Sequence, residues 1–265
     1  MRRLVALVAT GAAASAAALA AYRSVVDPWR RTWGVEPGEA ARLLPGDELI
    51  AAPSGSETRA ITIGAPAAAI WPWLVQMGYG RAGWYSYDAM DIRGRSADRI
   101  VPEWQAIAVG DTLPTHPDGG FEVVQIEPDR ALVLYFDDTM VAPAALPPGE
   151  TPEDAPAEPP PPGLAVSGAI LGTKLSKFRA TWAFVLEPVG GTSTRLIERC
   201  RIEVPEAGAL GGVTGSLFGF GVFLMMRRQL LGLKERAERL VNDGRPAPAA
   251  EEEPAPAGRQ ELVPD

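Results

Sequence analysis

With one histidine and one cysteine in 265 residues, the chain has little with which to hold a metal ion. His116 sits in a turn sequence before Pro117 and Cys200 lies far away, so no ligand set at metal-binding spacing exists and no internal disulfide can form. A Ser-His-acid triad would have to use that same turn histidine, and no G-x-S-x-G elbow is present. A basic surplus is missing too: the formal charge is -8, which excludes a nucleic-acid surface. The glycine-rich word Gly78-Tyr79-Gly80-Arg81-Ala82-Gly83 imitates a dinucleotide fingerprint, but it follows a helical pattern and lacks the strand that such a loop needs. Neither a metal nor a nucleotide cofactor is expected.

What the chain does have is concentrated between Ile61 and Asp91. Alternation at Ile61 and Ile63 predicts a strand, and Gly64-Ala65-Pro66 ends it, with Pro66 pre-set for a first helical turn. Ile70, Trp73, Leu74 and Met77 then recur at helical spacing and form one apolar stripe. Pro72 inside that stretch is expected to kink or restart the helix. Trp71 lies off the stripe, where it faces the preceding segment, a membrane surface or simple packing.

Further on, the period becomes two. Segments 111–115, 121–127 and 132–137, separated by His116-Pro117-Asp118-Gly119-Gly120 and Pro128-Asp129-Arg130, predict an antiparallel meander. Two longer strands, 178–187 and 194–204, flank a hairpin turn at Gly190-Gly191-Thr192. Phe178, Ala180, Trp182, Phe184 and Leu186 share a face, and so do Leu196, Cys200, Ile202 and Val204 together with Glu198. A carboxylate on an apolar face is the informative residue there. Cys200 reads as a small buried apolar residue, and Arg195, Arg199 and Arg201 read as the solvated face of the second strand. Residues 83–93 form an aromatic loop with a short helix near Ser86 to Asp91, and 99–104 an extended connection.

The ends and one internal stretch differ in kind. Arg2-Arg3 precede eighteen uncharged residues, Leu4 to Ala21, which as a helix span about 27 Å, the thickness of a bilayer core. An uncleaved anchor, a cleaved signal peptide and a helical extension all fit, and arginines on both sides leave orientation open. Residues 24–56 form an irregular lead-in that places Trp29 and Trp33 on the surface. Nine prolines and four acidic residues in 141–163, and a Pro-, Ala- and Glu-rich tail at 242–265, predict disorder. One domain, 57–241, remains.

A second uncharged run, Gly208 to Met226, contains six glycines and continues into Met226, Leu230, Leu233, Ala237 and Leu240 at helical spacing. A buried helix is therefore expected rather than a membrane span.

The words Ala65-Pro66, Ile70-Trp71-Pro72-Trp73-Leu74-Val75-Gln76-Met77-Gly78, Gly80 to Asp88, Ser96 to Gln105, Val109-Gly110-Asp111 and Leu230 to Lys234 resemble the SRPBCC or START-like superfamily of polyketide cyclases and lipid-transfer proteins. They are similar to a membrane-anchored bacterial branch of it, over roughly residues 57 to 240. The resemblance implies an α+β helix-grip fold: a curved antiparallel sheet of six or seven strands wrapped around a long C-terminal helix, here with an N-terminal membrane helix. It also implies an apolar cavity for a hydrophobic small molecule, lipid or polyketide-like. Trp73, Met77, Trp182, Phe184 and Met226 are its expected lining, with Glu198, Tyr85 and Tyr87 as polar contacts.

Tyr85, Tyr87, Asp88, Asp91, Glu103 and Glu198 are the acids and phenols available for proton transfer. A cyclase or dehydratase using such an acid and a tyrosine is one alternative, and a non-catalytic membrane-associated interaction protein is another. Packing of Trp84, Tyr85 and Tyr87 onto the sheet and capping by Asp88 and Asp91 account for these residues better than chemistry does. Arg81 has two readings, an acidic ligand head group or a pair with Asp88 or Asp98.

Overall fold

Six antiparallel strands make one curved sheet in the order β1-β6-β5-β4-β3-β2. They are β1 (Gly55–Ile63), β2 (Thr112–His116), β3 (Gly119–Glu127), β4 (Ala131–Asp137), β5 (Arg179–Val189) and β6 (Ser193–Glu203). The computed structural model describes residues 17–91, 95–116, 119–137, 178–204 and 211–244. Among the described residues four helices accompany the sheet: α1 (Asp27–Arg31), which continues helical turns at 17–21 and a π-helical segment Tyr22–Val26, then α2 (Ala67–Val75), α3 (Asp88–Asp91) and α4 (Gly211–Asn242). Among the described residues the strands number six. The Pro-rich 141–163 stretch, most of the 242–265 tail and most of Leu4 to Ala21 lie outside the described residues. Among the described residues no helix is long and apolar enough to cross a membrane.

One side of the sheet carries the main core. Ile70, Trp73, Leu74 and Met77 of the α2 stripe meet Leu230, Leu233 and Ala237 of α4 over Ile63, Leu132, Leu134, Phe184, Leu186 and Leu196. Helix α2 starts behind Pro66 and runs through Pro72 without a break. Pro72 has no N–H to donate one turn back, and its ring is buried. Helix α4 crosses so close to the loop after α2 that a side chain at Gly232 would meet the carbonyl of Tyr85 at 2.2 Å.

The opposite side of the sheet overturns the expected solvated arginine face. Arg195 and Arg199 are buried beneath the lead-in, whose 3-10 turns Glu39–Ala41 and Asp47–Ile50 are held by the strand. Arg199 donates to Asp47 Oδ2 at 2.6 Å, to Thr58 Oγ1 at 2.9 Å and to the carbonyls of Arg42, Glu39 and Ala40. Arg195 pairs with Glu39 at 2.7 Å, and Arg201 with Asp47 at 3.1 Å. A buried guanidinium needs that many acceptors, and a folded-back segment rich in backbone carbonyls supplies them. Beneath it lies a second small core of Leu44, Ala60, Val185 and Ile197.

The lead-in also closes the β1 edge. The N–H of Ala60 donates to the Trp33 carbonyl at 3.1 Å. That approach requires the glycine after Trp33: Gly34 has φ +74°, and a Cβ there would sit 2.1 Å from the Ala60 carbonyl oxygen. Trp33 packs on the core with Arg227 5.0 Å above its ring, so of the two lead-in tryptophans only Trp29 is on the surface.

Candidate functional site

The two-residue period of β5 turns Trp182 and Phe184 toward the concave side, where β3, β4 and the loop after α2 add further rings. Trp84 stacks on Trp182 at 5.1 Å with 19° between planes, and Phe121 meets Trp182 and Phe136 each at 5.7 Å. Phe178 lies 4.9 Å from Phe136. Phe184 and Trp84 are buried, whereas Phe121, Phe136, Phe178 and Trp182 are half-buried. The result is an aromatic wall whose inner end is core and whose outer end reaches solvent.

At the inner end stands Glu198, fully buried. Its Oε1 accepts a 2.8 Å hydrogen bond from the Trp182 indole, while Oε2 has no protein partner among the described residues. Directly across the β1–β6 ladder is Arg59, also fully buried. Arg59 pairs with Glu57 and donates to Met226 Sδ at 3.0 Å, under the Phe223 ring. Glu57 in turn accepts from Arg30 at 2.5 Å, and Arg30 pairs with Asp27 at 2.5 Å. Asp27, Arg30, Glu57 and Arg59 thus alternate in sign, with Arg31 also on Asp27, and Arg59 already has its carboxylate partner in Glu57. Desolvation accordingly pushes its carboxyl up to about 7, against a weaker pull downward from Arg59 and the Trp182 hydrogen bond.

The other expected site residues separate into groups. Glu198 and Met226 adjoin Arg59, and Trp182 and Phe184 adjoin Glu198. Trp73, Met77 and Tyr85 lie in the core below α4: the Trp73 and Tyr85 rings are 5.8 Å apart, and Met77 Sδ accepts from Gln229 at 3.3 Å. Tyr85 is buried at φ +58°, donates to the Trp73 carbonyl at 3.1 Å and accepts from Gln76 at 2.9 Å. Burial pushes its phenol well above the ordinary range, so this hydroxyl is a structural one. Tyr87 and Glu103 are exposed. Asp88 accepts from Ser96 at 2.5 Å, and Arg81 pairs with neither expected acid but donates to the carbonyls of Val75 and Trp104, each at 2.9 Å. The side chains of Asp91 and His116 lie outside the described residues.

Two functional residues escaped the sequence reading. Arg59 occupies the core face of β1 in the same period as Ile61 and Ile63, the signal that singled out Glu198 on β6. Gln76 follows α2 and, fully buried, ties Tyr85, Arg99, Val101 and Gln105 together, which no short motif reveals.

A separate cleft of about 250 Å³ opens between α4 and the loop after α2. Tyr85, Ser86, Asp88, Arg95, Asp98, Arg228 and Arg236 are among its walls, so it is polar, unlike the apolar cavity that the family resemblance implies. Arg228 is held there by Glu235 at 2.8 Å. Among the described residues no three His, Cys, Asp or Glu side chains gather as a metal site.

No family model and no curated protein matches the chain. Solved structures similar to it include a conserved protein of Geobacillus kaustophilus, at 12% identity over 70% of this chain and 95% of that one, with a TM-score of 0.36. A protein of Arthrobacter aurescens is 17% identical over 74% and 90%, with a TM-score of 0.34. The Zhui aromatase/cyclase of a Streptomyces species is 14% identical over 71% and 95%, with a TM-score of 0.27.

Proposed function

We propose that the concave face of the sheet binds a hydrophobic small molecule, lipid or polyketide-like, against the aromatic wall, with Glu198 as the polar contact. One observation carries the reading: a fully buried carboxyl group, one oxygen of which has no partner among the described residues, stands at the inner end of a half-buried row of rings. Burying a carboxyl without satisfying it costs free energy, and fixed polar groups within aromatic surroundings are what small-molecule sites use for orientation. Trp182 belongs to both parts, since its ring faces Trp84 and its N–H holds Glu198. In this reading Trp73, Met77 and Phe184 are the packed floor rather than the lining. The uncharged run Leu4 to Ala21 would tether the domain beside a bilayer, the source of such molecules.

The test uses N-phenyl-1-naphthylamine, a neutral hydrophobic fluorophore. Saturable fluorescence enhancement, with energy transfer from the tryptophans and loss on Phe121→Arg at the outer end of the wall, is expected. A folded protein that takes up none of it would overturn the reading.

A second reading, a cyclase or dehydratase, draws on the carboxyl poised near 7, a value suited to proton transfer at neutral pH. Tyr85 is not the partner such an enzyme would use, because its hydroxyl is already spent on Trp73 and Gln76. Glu198→Gln separates the readings: binding kept with turnover lost would mark catalysis.

A further inference from the structure

Two buried polar atoms without a partner among the described residues, Glu198 Oε2 and Arg59 Nε, belong to residues directly opposite each other in the β1–β6 register. Side chains at such positions leave the same face of the sheet with their Cβ atoms about 5 Å apart. Opposite charges at that spacing would ordinarily pair. Here Arg59 is drawn away by Glu57 and Met226, and Glu198 by Trp182.

The indole hydrogen bond fixes the chemistry of what remains. Trp182 has only a donor to offer, so Glu198 Oε1 must be the accepting oxygen. In the acid form the proton therefore resides on Oε2, which makes the unpartnered atom a donor. Arg59 Nε is a donor in every state. We infer that Glu198 Oε2–H and Arg59 Nε–H form a two-donor subsite for a carbonyl oxygen, so that the molecule bound on the aromatic wall is a hydrophobic ketone, aldehyde or ester. This rests on the binding reading above and narrows it to one ligand class.

An acceptor-only oxygen satisfies both donors and leaves no proton of its own buried unpaired, which a hydrocarbon cannot do. The rings of Trp84, Trp182 and Phe121 supply the apolar surface on which a conjugated or aromatic carbonyl compound lies flat. The ionisable groups facing the subsite are Glu57 and Arg59 of β1, Cys200 of β6 and, through Glu57, Arg30 with Asp27, Arg31 and Tyr22 beside it. From α4 it is faced by Phe223 and Met226, which do not titrate. Ionisation of Glu198 turns its oxygen from donor to acceptor, so the preference for a carbonyl is a property of the acid form.

Displacement of N-phenyl-1-naphthylamine from the full-length protein by 2-acetylnaphthalene and by its isostere 2-isopropenylnaphthalene reads this directly. At pH 6 the ketone is expected to bind at least tenfold more tightly than the alkene, and at pH 8.5 the two are expected to agree within about twofold. Glu198→Gln, whose amide N–H replaces the acid O–H, should keep the preference at both pH values, and Glu198→Leu should remove it at both. Equal binding of the two compounds at pH 6, or a preference unchanged at pH 8.5 in the wild-type protein, would overturn the carbonyl subsite while leaving the binding face. Failure of the fluorophore and both compounds to bind the folded protein would overturn the face as well.

Discussion

Arg59 and Glu198 stand directly opposite one another across the β1–β6 ladder, both fully buried, and each is bonded to a residue other than its neighbour. Such a pair would be expected to form an ion pair. The alternation Asp27, Arg30, Glu57, Arg59 explains why it does not: the arginine is already neutralised through Glu57. Glu198 is left to be neutral by protonation.

Stability should therefore depend on pH through this residue. Its folded value of about 7 lies above the ordinary 4.5, so between those values the folded chain holds a proton that the unfolded chain has released. Stability from Glu198 is full below about 4.5 and declines as pH rises toward 7, by about 3 kcal/mol for a shift of this size. Urea unfolding should find Glu198→Gln close to wild type at pH 5 and more stable than wild type at pH 8.5. Parallel pH profiles for the two proteins would contradict this.

Gly232→Ala should destabilise the fold even though alanine favours helices by about 1 kcal/mol. The added Cβ would meet the Tyr85 carbonyl oxygen at 2.2 Å, and that backbone is anchored by Ser96 and by the Tyr85 hydroxyl. A net loss of about 2–3 kcal/mol is expected in chemical denaturation. An unchanged midpoint would show that α4 does not seat on this loop.

Arg199→Leu should release the lead-in. It removes five hydrogen bonds and leaves Asp47 buried with only Arg201 to compensate it. A loss of about 3–5 kcal/mol is expected, with new protease cleavage between residues 34 and 51 under native conditions. Resistance equal to wild type would mean that the segment is held by its small apolar core alone.

The sheet was legible because its strands keep a strict period of two between turn-forming words, and the observed bounds of β3 to β6 depart from the expected ones by only a residue or two. Helix α4 was legible through Met226, Leu230, Leu233 and Ala237, all buried as their spacing implies. The arginine face of β6 was misread because a period of two shows which residues share a face but not what covers it. Only the folded lead-in reveals that Arg195 and Arg199 are inside. Glu198 was found by being charged on an apolar face, and Arg59 was overlooked although the same argument applies to it in β1. Tyr85 was taken for a polar contact of the cavity because it stands in an aromatic and acidic loop. Its burial depends on Gln76, a contact across the loop that local sequence does not encode.

We propose the aromatic wall ending at Glu198 as the binding face. Its most direct test is the indole N–H spectrum of the ¹⁵N-labelled protein, with the Trp182 resonance assigned by Trp182→Phe, during titration with N-phenyl-1-naphthylamine. Saturable shifts at Trp182 and Trp84 are expected, with the exposed Trp29 unmoved. Unshifted Trp182 and Trp84 resonances at saturating fluorophore, in a protein that remains folded, would contradict it.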